Sequence, residues 1–486
     1  MIGTLLALLF LRNLIYVQRR RETISVGREN YMSGSIALDA IERVREKLEK
    51  LSIDIWNNPE GAYKEFKAAK WSADMLREYG FEVETGAAGI PTAIKAVWGS
   101  GHPVIGFLGE YDALPGLSQK VDTAEDPVTP GGYGHGCGHN LLGAAHIGAV
   151  IGMKEEMISS NLPGTIIYYG CPAEEVLTGK LFMVKGGAFD CLDLCIQFHP
   201  GMMNTVGIDS ISCLSTKFHF KGIPAHPSID PHNGRSALDA AELTNVGANY
   251  LREHVKKDVS FSYIITDGGS APNIIPSKAS VWYIVRAREK ETVEEVHERL
   301  VKVARGAAMM TETVFEEEFL GAAYGALSNK VLEKVVHEAF LQVPQEELTA
   351  EELDFAKALN DIDPEHSKAV REKYGFPHDE IVHTGLLPIQ FNLGSTDVGD
   401  IQHMVPGVSF RTACYGIGVK AHTWPATACA GHSLGRKGMI RASKIMAMFG
   451  MKLLTDPDIY VEAKKEFDNA MAGKNYSCSV PKVRPF

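Results

Sequence analysis

The chain has 486 residues, more than one hydrophobic core ordinarily accommodates, so two domains are expected. It is 45% hydrophobic and 22% charged, which is the balance of a folded globular protein. The formal net charge of −11 offers no basic surface, and nucleic acid is therefore excluded as an expected partner. The eight cysteines are few and irregularly spaced, which predicts reduced thiols in a cytoplasmic protein rather than a disulfide framework.

The first residues form a short apolar run followed by arginines. The run from 2 to 10 is interrupted at Arg12 and falls short of the ~20 residues that a spanning helix needs. The charges follow the run and no small-residue cleavage site is present, unlike in a secretory signal. We expect residues 1–31 to be an extension translated from an upstream start codon, with Met32 as the ordinary start. A membrane anchor, or a helix lying on a membrane surface, is the alternative.

Helical and strand patterns then alternate along the chain. The helical spacings and short apolar runs cover, in order, 36–51 (helix), 63–79 (helix), 104–109 (strand), 141–158 (helix), 164–169 (strand) and 194–198 (strand). This alternation predicts an α/β fold in which a mostly parallel sheet carries the catalytic site.

The pattern changes near residue 214. An alternating strand, a helix, two strands and a long helix follow at 216–221, 236–255, 261–266, 280–286 and 292–309. Such an order is typical of a small α+β domain. We therefore expect a catalytic domain at 32–213 and 326–486, with a lid or dimerisation domain inserted at 214–325. The polar segment 343–388 is expected to be a surface insertion.

A glycine-rich turn at 134–140 holds Cys137 and His139 two residues apart. Glycine adopts unusual backbone angles at no steric cost, so a thiolate and an imidazole can converge on one point. These groups are ligands of borderline-soft divalent metals. The alternative for Cys137 is a buried thiol that binds nothing, but the neighbouring imidazole favours ligation. His135 in the same turn is expected to have a supporting role.

Carboxylates and imidazoles follow the later strands. Glu174 and Glu175 come after one apolar run and His199 ends the next, whereas His422 lies near the end of the chain. Because open α/β sheets place their sites at the carboxyl ends of strands, we expect these groups to converge. Taken singly, the glutamates could be a solvated pair and each histidine could have a structural role.

Together these residues supply five ligand groups and one free carboxylate. The ligand groups belong to Cys137, His139, Glu175, His199 and His422. A catalytic zinc usually keeps three protein ligands, so five groups suit two divalent ions that share a bridging ligand. Glu174 is then left to act as the general base. The thiolate favours zinc, while the other ligands also accept manganese.

In type and in order, these motifs resemble the amidohydrolase branch of the aminoacylase/carboxypeptidase metallopeptidase family. That branch has a Cys-Gly-His motif, a Pro-Ala-Glu-Glu motif and two later histidines, and the resemblance extends from about residue 36 onward. Asn140 and Cys171 depart from the branch, where Asp and Gln are usual. The Asn is shared with the p-aminobenzoyl-glutamate hydrolases and with relatives that cleave dipeptides. Further matching segments are 110–115, 222–227, 272–276, 394–400 and 422–425.

The resemblance implies roles for residues of the inserted domain. In relatives the equivalent of His226 stabilises the tetrahedral oxyanion, often in the site of the partner subunit. Asn273 would hold the carboxylate or carbonyl end of the substrate, and Arg286 would clamp a carboxylate. A position on the lid surface is the alternative for all three. The resemblance also implies two metal ions, with manganese in the nearest subgroup, and a homodimer or a complex with a related second subunit.

The expected activity is metal-dependent hydrolysis of the amide bond of an N-acyl amino acid. The expected substrate is p-aminobenzoyl-glutamate, cleaved to p-aminobenzoate and glutamate; a dipeptide or another N-acyl or auxin-conjugated amino acid is the alternative. A non-catalytic partner subunit is the alternative of another class, against which Glu174 and the full ligand set argue. Asp112 is expected to orient a ligand imidazole and Asp397 to cap a helix.

Overall fold

The computed structural model describes residues 34–388 and 394–486, so the extension predicted at residues 1–31 lies outside the described residues. Within these ranges, no helix combines the length and apolar character needed to cross a membrane.

An eight-stranded sheet forms the centre of the larger part of the molecule. Its strands, in chain order, are β1 (Glu82–Thr85), β2 (Ile94–Ser100), β3 (Val104–Glu110), β4 (Gly164–Cys171), β5 (Leu194–Gly201), β6 (Asn204–Thr205), β11 (Leu386–Leu387) and β12 (Gly407–Ala413). They lie in the order β1-β2-β4-β3-β5-β12-β6-β11. The central neighbours β4, β3, β5 and β12 run parallel to one another. Every residue of β3 and β4 is buried, in keeping with their nearly continuous apolar sequences.

Helices cover this sheet and complete its core. They are α1 (Ser35–Asn57), α2 (Phe66–Glu78), α3 (His139–Ser159), α4 (Gly179–Lys185), α7 (Lys330–Gln342), α8 (Ala350–Asn360), α9 (Pro364–Tyr374), α10 (Val398–Gln402), α11 (Trp424–Gly431), α12 (Ser433–Thr455) and α13 (Pro457–Ala470). The helix α3 is apolar on all sides because it lies between α1, α12 and the sheet.

A second sheet has its own core. It comprises β7 (Ser212–Lys221), β8 (Ser260–Asp267), β9 (Lys278–Ala287) and β10 (Val314–Ala323), all antiparallel in the order β10-β7-β9-β8. The helices α5 (Ala237–Leu251) and α6 (Lys290–Thr311) pack on one face of it. The predicted fold class, a mostly parallel α/β sheet with a smaller α+β unit inserted, is confirmed.

The last residues of the chain, 471–486, contact both parts of the molecule. The Lys290 ammonium, at the start of α6, donates to Ser479 Oγ at 3.0 Å. The Tyr476 hydroxyl donates to Asp400 Oδ1 in α10 at 2.9 Å. This segment therefore ties the second sheet to the helices of the first.

Candidate metal centre

The candidate ligands meet at one edge of the large sheet. Cys137 and His139 lie at the start of α3, Glu175 lies in a short turn after β4, and His199 lies in β5. His422 approaches from the loop before α11, where its backbone N–H donates to the carbonyl of Gly136 at 2.9 Å. The convergence follows from the parallel strands, whose carboxyl ends share this edge.

Two trios of ligand atoms can each hold one ion. Cys137, His139 and His199 form the first trio, and Cys137 Sγ lies 3.4 Å from His199 Nε2. Cys137, Glu175 and His422 form the second, and Glu175 Oε2 lies 3.6 Å from His422 Nε2. Within each trio the ligand atoms lie within 4.8 Å of one another. The two trios share the thiol of Cys137.

Hydrogen bonds orient two of the imidazoles. Asp112 Oδ1 lies 2.9 Å from His139 Nδ1, and the Pro200 carbonyl lies 2.8 Å from His199 Nδ1. Both contacts fix Nδ1 as the protonated nitrogen, so the Nε2 atoms are left for a metal. Asp112 Oδ2 also accepts from the backbone N–H of Glu175 at 3.0 Å. The expected orienting role of Asp112 agrees with this geometry.

Unusual backbone angles hold several of these groups in place. Ala173 and Leu177, which flank the turn containing Glu174 and Glu175, both have φ of 56°, and His422 has φ of 59°. Non-glycine residues in the left-handed region cost free energy and persist where the surroundings dictate them. The strain thus marks the two loops that present carboxylates and an imidazole.

The position before α3 requires glycine. Gly138 has φ of 75°, and a Cβ atom there would lie 2.3 Å from the Tyr415 hydroxyl. This close approach lets the turn bring Cys137 and His139 together at the helix start.

A buried glutamate, Glu65, stabilises the turn that contains Glu174 through hydrogen bonds. Glu65 is fully buried, and its Oε1 accepts from the backbone N–H of Ala173 at 2.9 Å and of Tyr63 at 2.8 Å. Its Oε2 accepts from the Thr92 hydroxyl at 2.8 Å. Burial, followed by the charge of Asp112, raises the pKa of Glu65 to about 7.

The centre has an excess of buried acidic groups. Burial and neighbouring carboxylates raise the pKa of Glu174 well above its usual value and that of Glu175 to about 7. Burial likewise raises the pKa of the Cys137 thiol and lowers that of His199, which keeps this imidazole neutral as ligation requires. Divalent cations would offset this cost, so the residues present fit metal ions.

Unsatisfied polar atoms support the same conclusion. His139 Nε2, Glu175 Oε1 and Glu110 Oε2 are buried without a hydrogen-bond partner among the described residues. Buried polar atoms without partners are rare in native proteins and call for an explanation such as a bound ion. These atoms are grouped, since His139 Nε2 lies 3.4 Å from Glu110 Oε2 and 3.9 Å from Glu175 Oε1.

Glu174 lies beside the two trios without belonging to either. Its side chain is 9% exposed, and Oε2 is 3.8 Å from His139 Nε2. Glu174 forms a third group of potential ligand atoms with His139 and Glu110. A carboxylate in this position can accept a proton from a molecule bound at the edge of the metal centre.

A buried ion triad behind the centre was not identified from the sequence. Lys180, Glu110 and Asp397 are fully buried, and the Lys180 ammonium donates to Glu110 Oε1 and to Asp397 Oδ1. Gln197 Nε2 donates to the same Glu110 oxygen at 2.6 Å. The prediction that Asp397 caps a helix is wrong. Its side chain makes no capping hydrogen bond at α10. Besides the Lys180 ammonium, it accepts from the backbone N–H of Lys180 at 2.9 Å.

The predicted residues of the inserted domain divide into two groups. Arg286 in β9 lines the same cavity as Cys137 and Glu174. His226 and Asn273 are exposed in loops of the second sheet, and neither lines this cavity. The structure of one chain therefore brings Arg286 to the metal centre but not His226 or Asn273.

The cavity has a volume of about 620 Å³ and contains groups that sequence analysis missed. Arg411 and Tyr415 line it from β12 and the loop that follows, and Lys373 and Tyr374 line it from the end of α9. The segment predicted at 343–388 as a surface insertion thus reaches the cavity.

Asn140 has a structural role in this chain. Its Nδ2 donates to Ser52 Oγ and to the carbonyl of Ala430, both at 3.0 Å. An aspartate would place a carboxylate against that carbonyl, so the departure from Asp is explained by the neighbours of α3 rather than by the substrate.

The fold and the site define a metal-dependent hydrolase, and comparisons with known proteins identify its family. Residues 210–309 match the family model of the peptidase dimerisation domain of M20 proteins. One of the subunits of p-aminobenzoyl-glutamate hydrolase from Escherichia coli K12 is 37% identical over 91% of this chain and 96% of its own length. The Xaa-Arg dipeptidase of Mus musculus is 28% identical over 89% of this chain and 91% of its own length.

Solved structures show the same fold. A dinuclear metal-binding M20 peptidase of Bacillus subtilis has a TM-score of 0.57 at 18% identity, covering 85% of this chain and 99% of its own. An aminobenzoyl-glutamate utilization protein of Klebsiella pneumoniae has a TM-score of 0.57 at 18% identity, covering 82% and 97%. The chain belongs to the M20 family of metal-dependent peptidases and amidohydrolases.

Proposed function

We propose that this enzyme hydrolyses the amide bond of p-aminobenzoyl-glutamate, releasing p-aminobenzoate and glutamate. The observation that carries the proposal is the 37% identity, over nearly the full length of both chains, to a p-aminobenzoyl-glutamate hydrolase subunit. The two ligand trios and the buried carboxylate of Glu174 supply the chemistry that such a cleavage requires.

Two divalent ions, manganese or zinc, would occupy the centre. Their ligands would be Cys137, His139, Glu175, His199 and His422, which form the two trios. When bound, such ions supply a Lewis acid that polarises the amide carbonyl and acidifies water.

Glu174 would move the proton. Its buried carboxylate takes a proton from the attacking water and passes it to the nitrogen of the leaving amine. The orienting contact from Asp112 to His139 keeps that imidazole turned toward the ligand cluster throughout the reaction.

The inserted domain, which we place at residues 214–325, would supply the remaining groups from a second copy of the chain. His226 and Asn273 are exposed, as residues that act across an interface must be in a single chain. In the dimer, His226 of the partner subunit would donate to the developing oxyanion, and Asn273 of the partner subunit would hold the substrate. A related second subunit could take the place of the second copy.

We place the enzyme in the cytoplasm. All eight cysteines are free thiols, and six of them are buried. Reduced thiols are typical of that compartment.

The test is hydrolysis of p-aminobenzoyl-glutamate by purified protein that has been treated with a chelator and then resupplied with manganese or zinc. We expect turnover to be lost on chelation, restored by one of the two ions, and absent in a Glu174→Ala variant. Hydrolysis of a dipeptide instead would retain the mechanism and refute the substrate. Metal binding without hydrolysis of any amide in a broad panel would favour a non-catalytic partner subunit.

A further inference from the structure

Two arginines face the cavity without a counter-ion from the described residues. Arg286 lies in the second sheet, and its buried Nε has no hydrogen-bond partner. Arg411 lies in β12 of the large sheet, opposite His199 in β5, and its guanidinium has neither an ion pair nor a hydrogen bond among the described residues. Each guanidinium carries five donors that suit a carboxylate.

Among residues 34–388 and 394–486, no carboxylate near Arg411 balances its charge. Burial lowers the pKa of this guanidinium, and the acidic groups near enough to oppose that effect are Cys137, Tyr374 and Tyr415. The Lys373 side chain lines the same cavity and adds a second positive charge. A partly buried cation without an anion is costly unless a ligand supplies the anion.

The two arginines belong to different sheets, so they approach a bound molecule from different sides. Each guanidinium can form its own bidentate pair with a carboxylate, so the two arginines together can bind two carboxylates. The carboxylates of the cavity, Glu174 and Glu175, belong to the metal centre. The arrangement matches a ligand with one amide at the metal centre and two separate carboxylates.

We propose that Arg411 binds the side-chain carboxylate of the substrate, while Arg286 binds its α-carboxylate. Arg411 thereby restricts the enzyme to amides of acidic amino acids. The inference rests on the proposed function and extends it, since it assigns the specificity to a residue of the large sheet. A dipeptide with a C-terminal arginine is disfavoured, because its cationic side chain would meet Arg411 and Lys373.

The test compares two substrates that differ only in the charge of the side chain, p-aminobenzoyl-glutamate and p-aminobenzoyl-glutamine. We measure kcat/KM for both with the wild-type enzyme and with Arg411→Met and Arg411→Lys. Arg411→Met should lower the glutamate-to-glutamine ratio of kcat/KM by roughly 10- to 100-fold, the effect expected for a hydrogen-bonded charge. Arg411→Lys keeps the charge but loses the bidentate geometry, and its ratio should be intermediate.

Two control variants separate specificity from general damage. Arg43 is exposed in α1, so Arg43→Met should leave the ratio at the wild-type value. Arg286→Met should weaken both substrates alike, because both retain the α-carboxylate. An equal loss of both substrates in Arg411→Met, with an unchanged ratio, would overturn the proposal and show that Arg411 only balances the charge of the metal centre.

A binding measurement distinguishes this inference from the proposed function. If the wild-type enzyme cleaves neither substrate, calorimetric titration with N-acetyl-glutamate and N-acetyl-glutamine replaces the kinetic assay. Preferential binding of N-acetyl-glutamate that disappears in Arg411→Met would support the carboxylate subsite although the proposed reaction has failed. Equal binding of the two compounds, or no binding of either, would overturn it.

Discussion

The metal centre and the loops of the second sheet differ in how completely one chain builds them. Cys137, His139 and Glu174 are buried and within a few ångström of other candidate groups, whereas His226 and Asn273 are exposed and lie away from the cavity. The proposed ligands Cys137 and His139 are marked by burial within one chain, although the proposed ligand His422 is exposed. Groups proposed to contact the substrate across an interface look like ordinary surface residues.

Replacement of Glu174, the proposed base, tests the role assigned to the buried groups of the metal centre. Glu174→Gln keeps the shape of the side chain but removes its basicity, so kcat should fall by about 10²- to 10⁴-fold. The metal content measured by elemental analysis should stay at two ions per chain, because Glu174 belongs to neither trio that contains Cys137. Glu46→Gln, at an exposed position in α1, is the control and should retain full activity. Loss of an ion from Glu174→Gln would make Glu174 a ligand rather than the base.

Mixed dimers test whether the exposed His226 acts in the site of the partner subunit. Glu174→Gln and His226→Ala should each be nearly inactive alone, because each removes one part of every site. If His226 acts across the interface, dissociating and reassociating an equal mixture gives one complete site in half of the dimers, or about one quarter of wild-type activity. Assay of the mixture against the separate variants provides the measurement. A mixture no more active than its components would place His226 and Glu174 in the same chain's site.

The buried ion triad allows the effect of removing a buried charge on stability to be compared with that of removing an exposed one. Lys180→Met leaves the carboxylates of Glu110 and Asp397 buried without their cation, and the free energy of unfolding should fall by about 3 to 5 kcal/mol. Urea unfolding monitored by circular dichroism measures the change. Lys357→Met removes the exposed partner of Asp361 and should leave the free energy of unfolding nearly unchanged. Similar values for the two variants would contradict the assigned burial of the triad.

Asp400 links the C-terminal segment to the large sheet, and its titration should make stability depend on pH. Burial raises its pKa from 3.8 to about 7, so the folded protein binds a proton more tightly than the unfolded chain. Its contribution to stability is therefore present in full below pH 3.8 and is lost as the pH rises through 7, by up to about 4 kcal/mol. Between pH 5 and 8 the wild-type free energy of unfolding should fall relative to that of Asp400→Asn. Parallel pH profiles would show that Asp400 titrates normally.

The fold could be predicted closely because apolar periodicity reports burial. The strand predicted at 164–169 is observed as Gly164–Cys171, and the helix predicted at 141–158 as His139–Ser159. The helix predicted at 63–79 begins later, at Phe66, because Tyr63 has a φ of 62° and its N–H is held by Glu65. Periodicity cannot show that such a side-chain contact replaces the first helical turn.

Some residues of the candidate site could likewise be predicted from the sequence, and others could not. Cys137 and His139 could be found because their spacing within one turn is itself a chemical signal. Lys180 and Arg411 carry no such signal, since a lysine in a helix and an arginine in a strand are ordinary until their neighbours are known. Asp397 was assigned to the wrong role for this reason, as its partner Lys180 lies 217 residues away in the chain.

The excess of buried acidic groups at the metal centre also concerns how long the protein survives in a cell. Ions that bind the folded state but not the unfolded chain stabilise the folded state by mass action. Removal of the ions leaves Glu174, Glu175 and Cys137 around one cavity without a metal cation. Partial unfolding exposes a chain to proteases, so cells starved of the ion should contain less of this protein as well as a less active form.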